Sequence, residues 1–401
     1  MNVNERIAQY NRGRDAKRLQ LKYSKMRSDP FVFLRGACHL FYDRLPSSGI
    51  FKNAPPVWSC GDLHLENFGS YKGDNRLVYF DLNDFDEGLL APASWDVVRM
   101  LTSLRVGSKS LDIPVKEAQG LCEAFLQAYG AALSAGKAYW IERLTAEGLI
   151  RDLLLKLRDR QRKDLLAARA HVKNRQRKLR LIDGKTDPVT AQDRARVEDF
   201  MKHFAKAQAN PQFFKVLDVA TRIAGTGSLG VERFVVLVEG KGSPDGNYLL
   251  DLKEALPSSL APHVKCKQPK WPSEAHRVVA VQRRVQAVSM AFLQPVEMQG
   301  KPYVLRGLQP TEDRVSLDGA RQSLSDIRTV VHAMGQLVAW GQLRSGGRQG
   351  SATADELIDF AQGQKWQGKL LDASQTCAQQ TLKDFASFAQ AYDEGVFKPS
   401  A

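Results

Sequence analysis

Polar side chains between residues 62 and 86 are the part of this sequence best suited to chemistry. The segment GDLHLEN, residues 61–67, places an aspartate, a histidine and an asparagine close together. Four more oxygen-bearing side chains follow at the end of an apolar run: Asp81, Asn83, Asp84 and Asp86. Grouped carboxylate and amide oxygens repel one another unless a cation lies among them, and Mg²⁺ prefers such ligands. A carboxylate free of metal could instead orient a hydroxyl or accept its proton.

A simpler interpretation is that these Asp and Asn side chains form turn hydrogen bonds in loops. The pattern predicts a hairpin with strands over 68–71 and 77–82, because two apolar runs flank a polar turn. The polar groups lie on both sides of this hairpin. We therefore favour a metal or catalytic site over loop capping.

A second motif, residues 225–230, reads GTGSLG and satisfies G-x-G-x-x-G. A Rossmann fingerprint needs a helix directly after the glycines, but the apolar, β-branched run VERFVVLVEG that follows favours a strand. A Walker loop would end in Gly-Lys-Ser/Thr, whereas Val231 follows Gly230. A strand–glycines–strand hairpin is the lid with which kinases cover nucleotide phosphates, and Lys253 on the next predicted strand could pair with phosphate oxygens. A plain hairpin with a glycine-rich turn is the alternative.

The segment GDLHLEN resembles the catalytic loop of the aminoglycoside phosphotransferase and choline kinase branch of the protein-kinase-like fold. There, H-G-D-x-H-x-x-N is followed after a hairpin by I-D-[FW]-x-D. The resemblance implies that Asp62 is the catalytic aspartate, and that Asn67 and Asp84, in NDFDEG, bind metal. Asp81 is the alternative to Asp84, and Cys60 replaces the first histidine of the pattern.

The spacing from Asp84 to Asp96, in Trp95-Asp96, fits a [YW]-D pair of that branch and supports Asp84 over Asp81. The resemblance further assigns Asp86 as a possible helper in metal binding. His64 would brace the loop or the acceptor.

By the same resemblance, the glycine-rich segment covers the nucleotide phosphates with four residues: Gly225, Gly227, Ser228 and Gly230. Lys253 would grip the phosphates. A helix predicted over 273–293 would carry the acidic partner of this lysine, yet Glu274 at its start is its one acid. Gln282 lies in mid-helix and is assigned to the nucleotide site.

A metallophosphoesterase is the competing enzyme class, because its first motif is also G-D-x-H. That class needs a second G-D block, a G-N-H-[DE] block and further histidine ligands. The chain has seven histidines, none of them in such a context.

The two kinase-like motifs occur in reverse order, since the glycine loop and lysine of a kinase precede its catalytic loop. A circular permutation would reconcile this order, because the termini of compact domains often lie close together. We therefore predict an α+β, two-lobed protein-kinase-like fold, circularly permuted, with a mostly helical large lobe and a small antiparallel-sheet lobe. The predicted parts are residues 1–150 and 311–401 of the helical lobe, a basic helical insertion or linker over 151–205, and the sheet lobe over 206–310.

The whole chain also resembles a bacterial family known as domain of unknown function 2252. The stretches that carry this resemblance are KYSKMRSDPFVFLRGA, CGDLHLENFG, DLNDFDEGLLAPASWDVVRML, RIAGTGSLGVERFVVLVEG, LLDLKEA and RVVAVQRRVQAVS. They span residues 20 to 290, with a weaker match to about 350. Arg35, in FLRGA, is a further candidate, because a guanidinium in a buried helix needs an anionic partner.

Composition narrows the class of protein. The 401 residues carry a net charge of +14, which points to anionic partners such as nucleotides, phosphorylated substrates or nucleic acid. Five cysteines without a CxxC pair indicate neither a disulfide framework nor a zinc finger. No apolar run approaches the roughly 18 residues of a membrane span, and the first residues lack a secretory signal. We expect a cytoplasmic protein without a membrane partner.

These observations predict an ATP- and Mg²⁺-dependent phosphotransferase that acts on an unknown small-molecule or protein hydroxyl. Adenylyl transfer remains open, and a nucleotide-binding pseudokinase with a regulatory role is the alternative. A nucleic-acid-associated protein is a third hypothesis, because residues 151–180 hold twelve Lys or Arg against three Asp. That segment lacks aromatic residues to stack on bases, so we do not favour this third hypothesis.

Overall fold

The computed structural model describes residues 2–174, 176–309, 314–363 and 365–398. Helices hold 48% of the residues and strands 16%, in several small antiparallel sheets. The predicted α+β class is therefore confirmed. The predicted boundary at residues 310 and 311 lies outside the described residues. Among the described residues, no helix has both the length and the apolar content that crossing a bilayer requires.

The first part of the chain forms helices around two short sheets. Its elements are α1 (Val3–Tyr10), α2 (Ala16–Ser28), α3 (Pro30–Gly36), α4 (Cys38–Arg44), α5 (Ile50–Asn53), β1 (Pro56–Ser59), β2 (Phe68–Lys72), β3 (Val78–Leu82), β4 (Leu89–Pro92), α6 (Ser94–Gly107), α7 (Val115–Ser134) and β5 (Ile141–Glu142). Strand β1 pairs with β4, and β3 pairs with β2 and β5. The predicted hairpin is β2–β3, in which Phe68 faces Leu82. This register sets Asn67 beside Asn83, whose N–H donates to the Asn67 carbonyl at 2.9 Å.

The basic segment is helical only in its first half. Its elements are α8 (Gly148–Asp159), α9 (Arg162–Arg169), β6 (Ala170–Lys173) and β7 (Gln176–Leu179). The prediction of helix throughout is wrong from residue 170, where a hairpin replaces it. The hairpin brings Ala170 and Leu179 into one buried cluster with Val235 and Leu237. Burial of these apolar side chains against a neighbouring sheet outweighs the local helical pattern.

That neighbouring sheet has six antiparallel strands in the order β12-β13-β11-β10-β9-β8. The elements of this region are β8 (Thr186–Asp187), α10 (Ala191–Lys206), β9 (Val216–Arg222), β10 (Arg233–Val238), β11 (Tyr248–Glu254), α11 (Glu274–Val285), β12 (Gln294–Met298) and β13 (Lys301–Gly307). The predicted helix over 273–293 is confirmed only as far as Val285. On one face of the sheet, α10 packs Val197 and Met201 against Phe234 and Leu250.

The chain ends in α12 (Leu324–Ser345), α13 (Ala354–Gln362) and α14 (Trp366–Asp393). Helix α12 packs along α7, and α14 packs on α6. One buried cluster joins these helices through residues such as Leu101, Phe125, Val331 and Leu370. Both ends of the chain therefore build one helical body, and the sheet with α10 and the basic segment is formed by the residues between them.

We expect the sheet to depend on its buried face. Leu250→Ala, at a fully buried position of β11, should lower the free energy of unfolding by about 2–5 kcal/mol, because it removes apolar contacts and leaves a cavity. Urea denaturation measures this loss. Leu77→Ala is the control, since Leu77 is 54% exposed and should change stability by less than about 0.5 kcal/mol. Equal effects of the two changes would contradict the assigned core.

Candidate functional site

One cavity of about 150 Å³ collects most of the predicted site residues. From the first motif region it is lined by Asp62, His64, Asn67, Asp84 and Asp86. From the second it is lined by Gly225, Gly227, Ser228 and Lys253. The fold therefore brings together two groups of residues that are more than 130 positions apart in sequence.

Helix α6 holds the loop that carries Asp62. The carboxylate of Asp96 accepts hydrogen bonds from the backbone N–H groups of Cys60 at 2.9 Å and Gly61 at 3.0 Å. Burial raises the pKa of Asp96 to about 6, although these two bonds oppose the shift. Gly61 has φ +81°, and a Cβ there would lie 2.4 Å from the carbonyl oxygen of Glu87. Glycine is therefore required at this turn.

The side chain of Asp62 is held from one side. The fully buried Arg99, also on α6, donates to Asp62 Oδ1 from Nε at 2.8 Å and from Nη2. Arg99 Nη2 also donates to the carbonyl of Leu34 at 3.0 Å. Among the described residues, Asp62 Oδ2 has no hydrogen-bond partner, and the side chain is 21% exposed. Asp62 thus presents one oxygen to the cavity in a fixed orientation.

His64 braces the loop and is uncharged. Its Nδ1 accepts a hydrogen bond from the N–H of Glu66 at 3.1 Å. Its ring packs edge-to-face with the ring of Phe31, and the two ring centroids are 6.0 Å apart. Burial, together with the nearby Arg35 guanidinium, holds the pKa of His64 well below its usual range. A neutral imidazole in these contacts supports the loop instead of carrying charge into the site.

Asn67 joins the loop of residues 61–67 to the acidic segment that contains Asp84. Its Nδ2 donates to the carbonyls of Asp62 at 3.1 Å and Asp84 at 3.3 Å. Its Oδ1 is buried and has no hydrogen-bond partner in the part of the chain that the structure describes. An unpaired buried oxygen is costly, so this atom is suited to receive a ligand.

The two carboxylates of NDFDEG have different environments. Burial and repulsion from Asp86 raise the pKa of Asp84. Burial acts in the same direction on Asp86, but the Lys253 ammonium, in direct contact with Asp86 Oδ2, lowers its pKa overall. The Ser228 hydroxyl also donates to Asp86 Oδ2, at 3.4 Å. Asp86 is therefore the acidic partner of Lys253 that the sequence does not reveal on α11.

Three other predicted positions lie elsewhere. Gln282 is fully buried inside the protein and donates to Gln286 Oε1 at 3.1 Å, so it does not line the cavity. Gly230 is turned away from it, and its φ of +87° brings the position of a Cβ within 2.8 Å of Arg14 Cβ. Asp81, the alternative metal ligand, does not line the cavity and accepts hydrogen bonds from the N–H groups of Leu82 and Ala287, at 2.9 and 3.2 Å.

Arg14 and Lys22, which belong to the N-terminal arm (residues 3–28, with α1 and α2), hold the glycine loop through its carbonyl oxygens. Arg14 Nη1 donates to the carbonyls of Gly227 at 2.7 Å and Leu229 at 3.3 Å. The buried Lys22 donates to the Gly227 carbonyl at 3.2 Å and to Asn11 Oδ1 at 2.9 Å. Because the arm occupies these carbonyl oxygens, the loop is fixed on the side of α1 and α2.

Sequence reasoning missed several charged residues of the cavity: Arg14, Glu66, Glu87, Arg222, Arg233, Arg306 and Arg314. Arg35, predicted to need an anionic partner, contacts Glu66 at 2.6 Å, and Arg314 contacts the same carboxylate at 2.8 Å. Arg222 and Arg233 could have been noticed, because they flank the glycine loop closely on either side. Glu66 and Arg314 are 248 positions apart, so no local signal joins them.

Acidic residues alone do not form a metal cage here. Among the described residues, no group of three or more His, Cys, Asp or Glu side chains is arranged to hold a metal ion. The oxygen donors that face one another are mixed in type, with the Asn67 amide beside the carboxylates of Asp84 and Asp86.

The family model described as "Uncharacterized protein conserved in bacteria (DUF2252)" matches residues 14–391. The chain belongs to this family, as the sequence resemblance indicated. The matched range includes both halves of the candidate site. No curated protein and no solved structure matches the chain.

We expect Asp81 to make stability depend on pH. Burial raises its pKa in the folded protein to about 6, so the folded state holds this proton more tightly than the unfolded state. As pH rises from 4 to 7, Asp81 ionises readily in the unfolded state, whereas in the folded state its ionisation places a charge in a buried position. The free energy of unfolding of the wild type therefore falls over this range. Asp81→Asn removes that titration, and its stability relative to wild type should increase over this range by about 2 kcal/mol.

Urea denaturation of both proteins at pH 4.5 to 7.5 measures this difference. Asp372→Asn, at an exposed position of α14, is the control and should show no such trend. A difference between Asp81→Asn and wild type that stays constant with pH would contradict the assigned environment of Asp81.

Proposed function

We propose that this family member is an ATP- and Mg²⁺-dependent phosphotransferase with a kinase-like fold in circularly permuted order, acting on a hydroxyl acceptor. The observation that carries the proposal is the single cavity in which Asp62, Asn67 and Asp84 face the glycine loop and Lys253. Kinases surround a nucleotide with the same groups: a glycine loop over the phosphates, a lysine beside them, and an aspartate and asparagine for Mg²⁺.

The connection of the sheet supports this proposal. The glycine loop joins β9 to β10, Lys253 lies on the third strand of the series, β11, and α11 follows before β12 and β13. A kinase likewise places its lysine on the third strand and a helix after it. The return of α12 and α14 to α7 and α6 supports a permuted chain, because residues from both ends complete one lobe.

The oxygen donors fit a hard cation. The buried Asn67 Oδ1 lacks a partner among the described residues, and Asp84 and Asp86 line the same cavity. Mg²⁺ is usually bound by one or two carboxylates together with substrate phosphates and water, so a cage of three protein acids is not required. When bound, Mg²⁺ would neutralise charge on the phosphate oxygens.

Asp62 would act on the acceptor. Arg99 occupies its Oδ1, which leaves Oδ2 to accept the proton of a hydroxyl as the hydroxyl oxygen attacks the terminal phosphorus. The bond from that phosphorus to the bridging oxygen breaks in the same step, and ADP would leave with that oxygen. The fixed guanidinium sets the direction of Oδ2. This orientation is the contribution that a general base makes before the chemical step.

The cavity must widen to admit a nucleotide. Its volume of about 150 Å³ is below the roughly 300–1,000 Å³ of ligand sites. The two residues of the Lys253–Asp86 ion pair both line the cavity. We infer that the phosphates take the place of Asp86 at Lys253, which frees Asp86 to face the cation.

We expect Asp84→Ala and Lys253→Ala each to weaken binding of Mg²⁺-ATP at least about tenfold, because each removes charge-assisted contacts worth about 1.5–3 kcal/mol. Asp84→Ala should also abolish transfer to any acceptor. Calorimetric titration measures binding, and release of labelled phosphate measures transfer. Asp372→Ala and Lys369→Ala, at exposed positions of α14, are the matched controls.

Three outcomes would contradict the proposal. Folded wild type that does not bind Mg²⁺-ATP would remove the nucleotide site. Binding without transfer would favour the regulatory pseudokinase. Steeply salt-dependent nucleic-acid binding that survives Asp84→Ala would favour a role of the basic segment.

A further inference from the structure

The sheet face that roofs the cavity is charged. Side chains on a strand alternate between faces, and one face of the sheet presents Arg222, Arg233, Lys253 and Arg306 to the cavity. Arg233 lies opposite Lys253 on the neighbouring strand, and Arg306 lies opposite Asp251. We call Arg222, Arg233 and Arg306, with the fully buried Asp251 between them, the arginine cluster.

Asp251 cannot balance the arginine cluster. Arg233 donates to both of its oxygens, at 2.8 and 2.6 Å. Arg222 Nη1 lies 2.9 Å from Oδ1, and Arg306 Nε donates to Oδ2 at 3.3 Å. Although burial opposes ionisation, the guanidinium groups hold the pKa of Asp251 well below its usual range. Three cations therefore share one carboxylate.

Donors of the arginine cluster remain unused. Arg222 Nη1 is buried and makes no hydrogen bond to the described residues, in spite of its closeness to Asp251. Burial, followed by repulsion from Arg233, lowers the pKa of Arg222 to about 9. The contact of Arg306 with Asp251 uses Nε, and its terminal nitrogens have no partner in the described part of the chain. A guanidinium nitrogen buried without a hydrogen-bond acceptor, as Arg222 Nη1 is, is costly, and an anion would satisfy it.

Most other carboxylates of the cavity have partners outside the arginine cluster, and among the described residues no ion pair joins Asp84 to it. Glu87 accepts hydrogen bonds from Ser259. Asp86 contacts Lys253, Glu66 contacts Arg35 and Arg314, and Asp62 contacts Arg99. Glu254 lies 3.6 Å from Lys301 Nζ. An anionic ligand would therefore be the direct acceptor for Arg222 Nη1 and for the terminal nitrogens of Arg306.

We propose that the arginine cluster is a phosphate-binding site, and that the ligand is a polyphosphate chain that runs from Asp84 past Lys253 to the sheet. The position of the chain rests on the proposed function. Guanidinium groups bind phosphate in paired, charge-assisted hydrogen bonds, and an aromatic base would gain no such contacts from this roof. The phosphate chain can belong to inorganic polyphosphate or to a nucleoside triphosphate.

The test is calorimetric titration of tripolyphosphate, in EDTA, into the full chain as wild type, Arg306→Gln and Lys301→Gln. Arg306→Gln should weaken binding at least about tenfold, because it removes charge-assisted hydrogen bonds. Lys301→Gln removes the same charge from the same strand at a position 47% exposed, and it should change affinity less than about twofold. ATP is titrated in the same assay. Tighter binding of ATP than of tripolyphosphate would identify a nucleotide as the ligand, and weaker binding would identify inorganic polyphosphate.

Asp251→Asn separates an anion site from a merely structural network. Removing the single carboxylate should tighten tripolyphosphate binding and enlarge the rise in melting temperature that tripolyphosphate causes. The proposal is overturned if Arg306→Gln binds tripolyphosphate as wild type does. It is equally overturned if adenosine, and not tripolyphosphate, competes with ATP.

The two proposals fail differently. Tripolyphosphate binding that needs Arg306, without transfer from any donor, would retain the phosphate site and remove the phosphotransferase. Transfer from Mg²⁺-ATP whose KM is unchanged in Arg306→Gln would retain the phosphotransferase and leave the arginine cluster with a structural role.

Discussion

The contact between Lys253 and Asp86 is the interaction on which the cavity depends. It joins the third strand of the sheet to the loop that leaves the β2–β3 hairpin, across 167 positions of sequence. Neighbouring contacts have the same role: Ser228 donates to Asp86, and Arg277 of α11 donates to the carbonyls of Asp86 and Gly88. Because Lys253 and Arg277 are largely removed from water, each must keep a partner, and the sheet is held over the helical body.

Partnered charge is the common principle of the site. Asp62 is held by Arg99 and Glu66 by two arginines, whereas the backbone fixes Asp96. Among the described residues, the Oδ1 of Asn67 and the guanidinium groups around Asp251 are examples that depart from this balance. One lacks a positive partner and the other a negative one. A metal-bound polyphosphate would satisfy both together, which links the proposed function to the further inference.

Several elements follow from local pattern. The β2–β3 hairpin and the strands around the glycine loop were predicted, because turn residues and apolar periodicity act over a few residues. The hairpin β6–β7 was not predicted, since its apolar residues acquire their meaning from Val235 and Leu237 on another element.

The residues of the candidate site also fall into those that the sequence nominated and those that only the tertiary structure revealed. By itself, the sequence determined the motifs GDLHLEN and NDFDEG, whose resemblance to a kinase-like family nominated Asp62, Asn67 and Asp84. It also placed Lys253 on a predicted strand after GTGSLG. Only the tertiary structure decided that Asp86 faces Lys253, that Gln282 is turned into the core and that the arginine cluster roofs the cavity. The physical reason is that an ion pair is fixed by distance in space, and the partners here are brought together by sheet register and helix packing, which no stretch of sequence encodes locally.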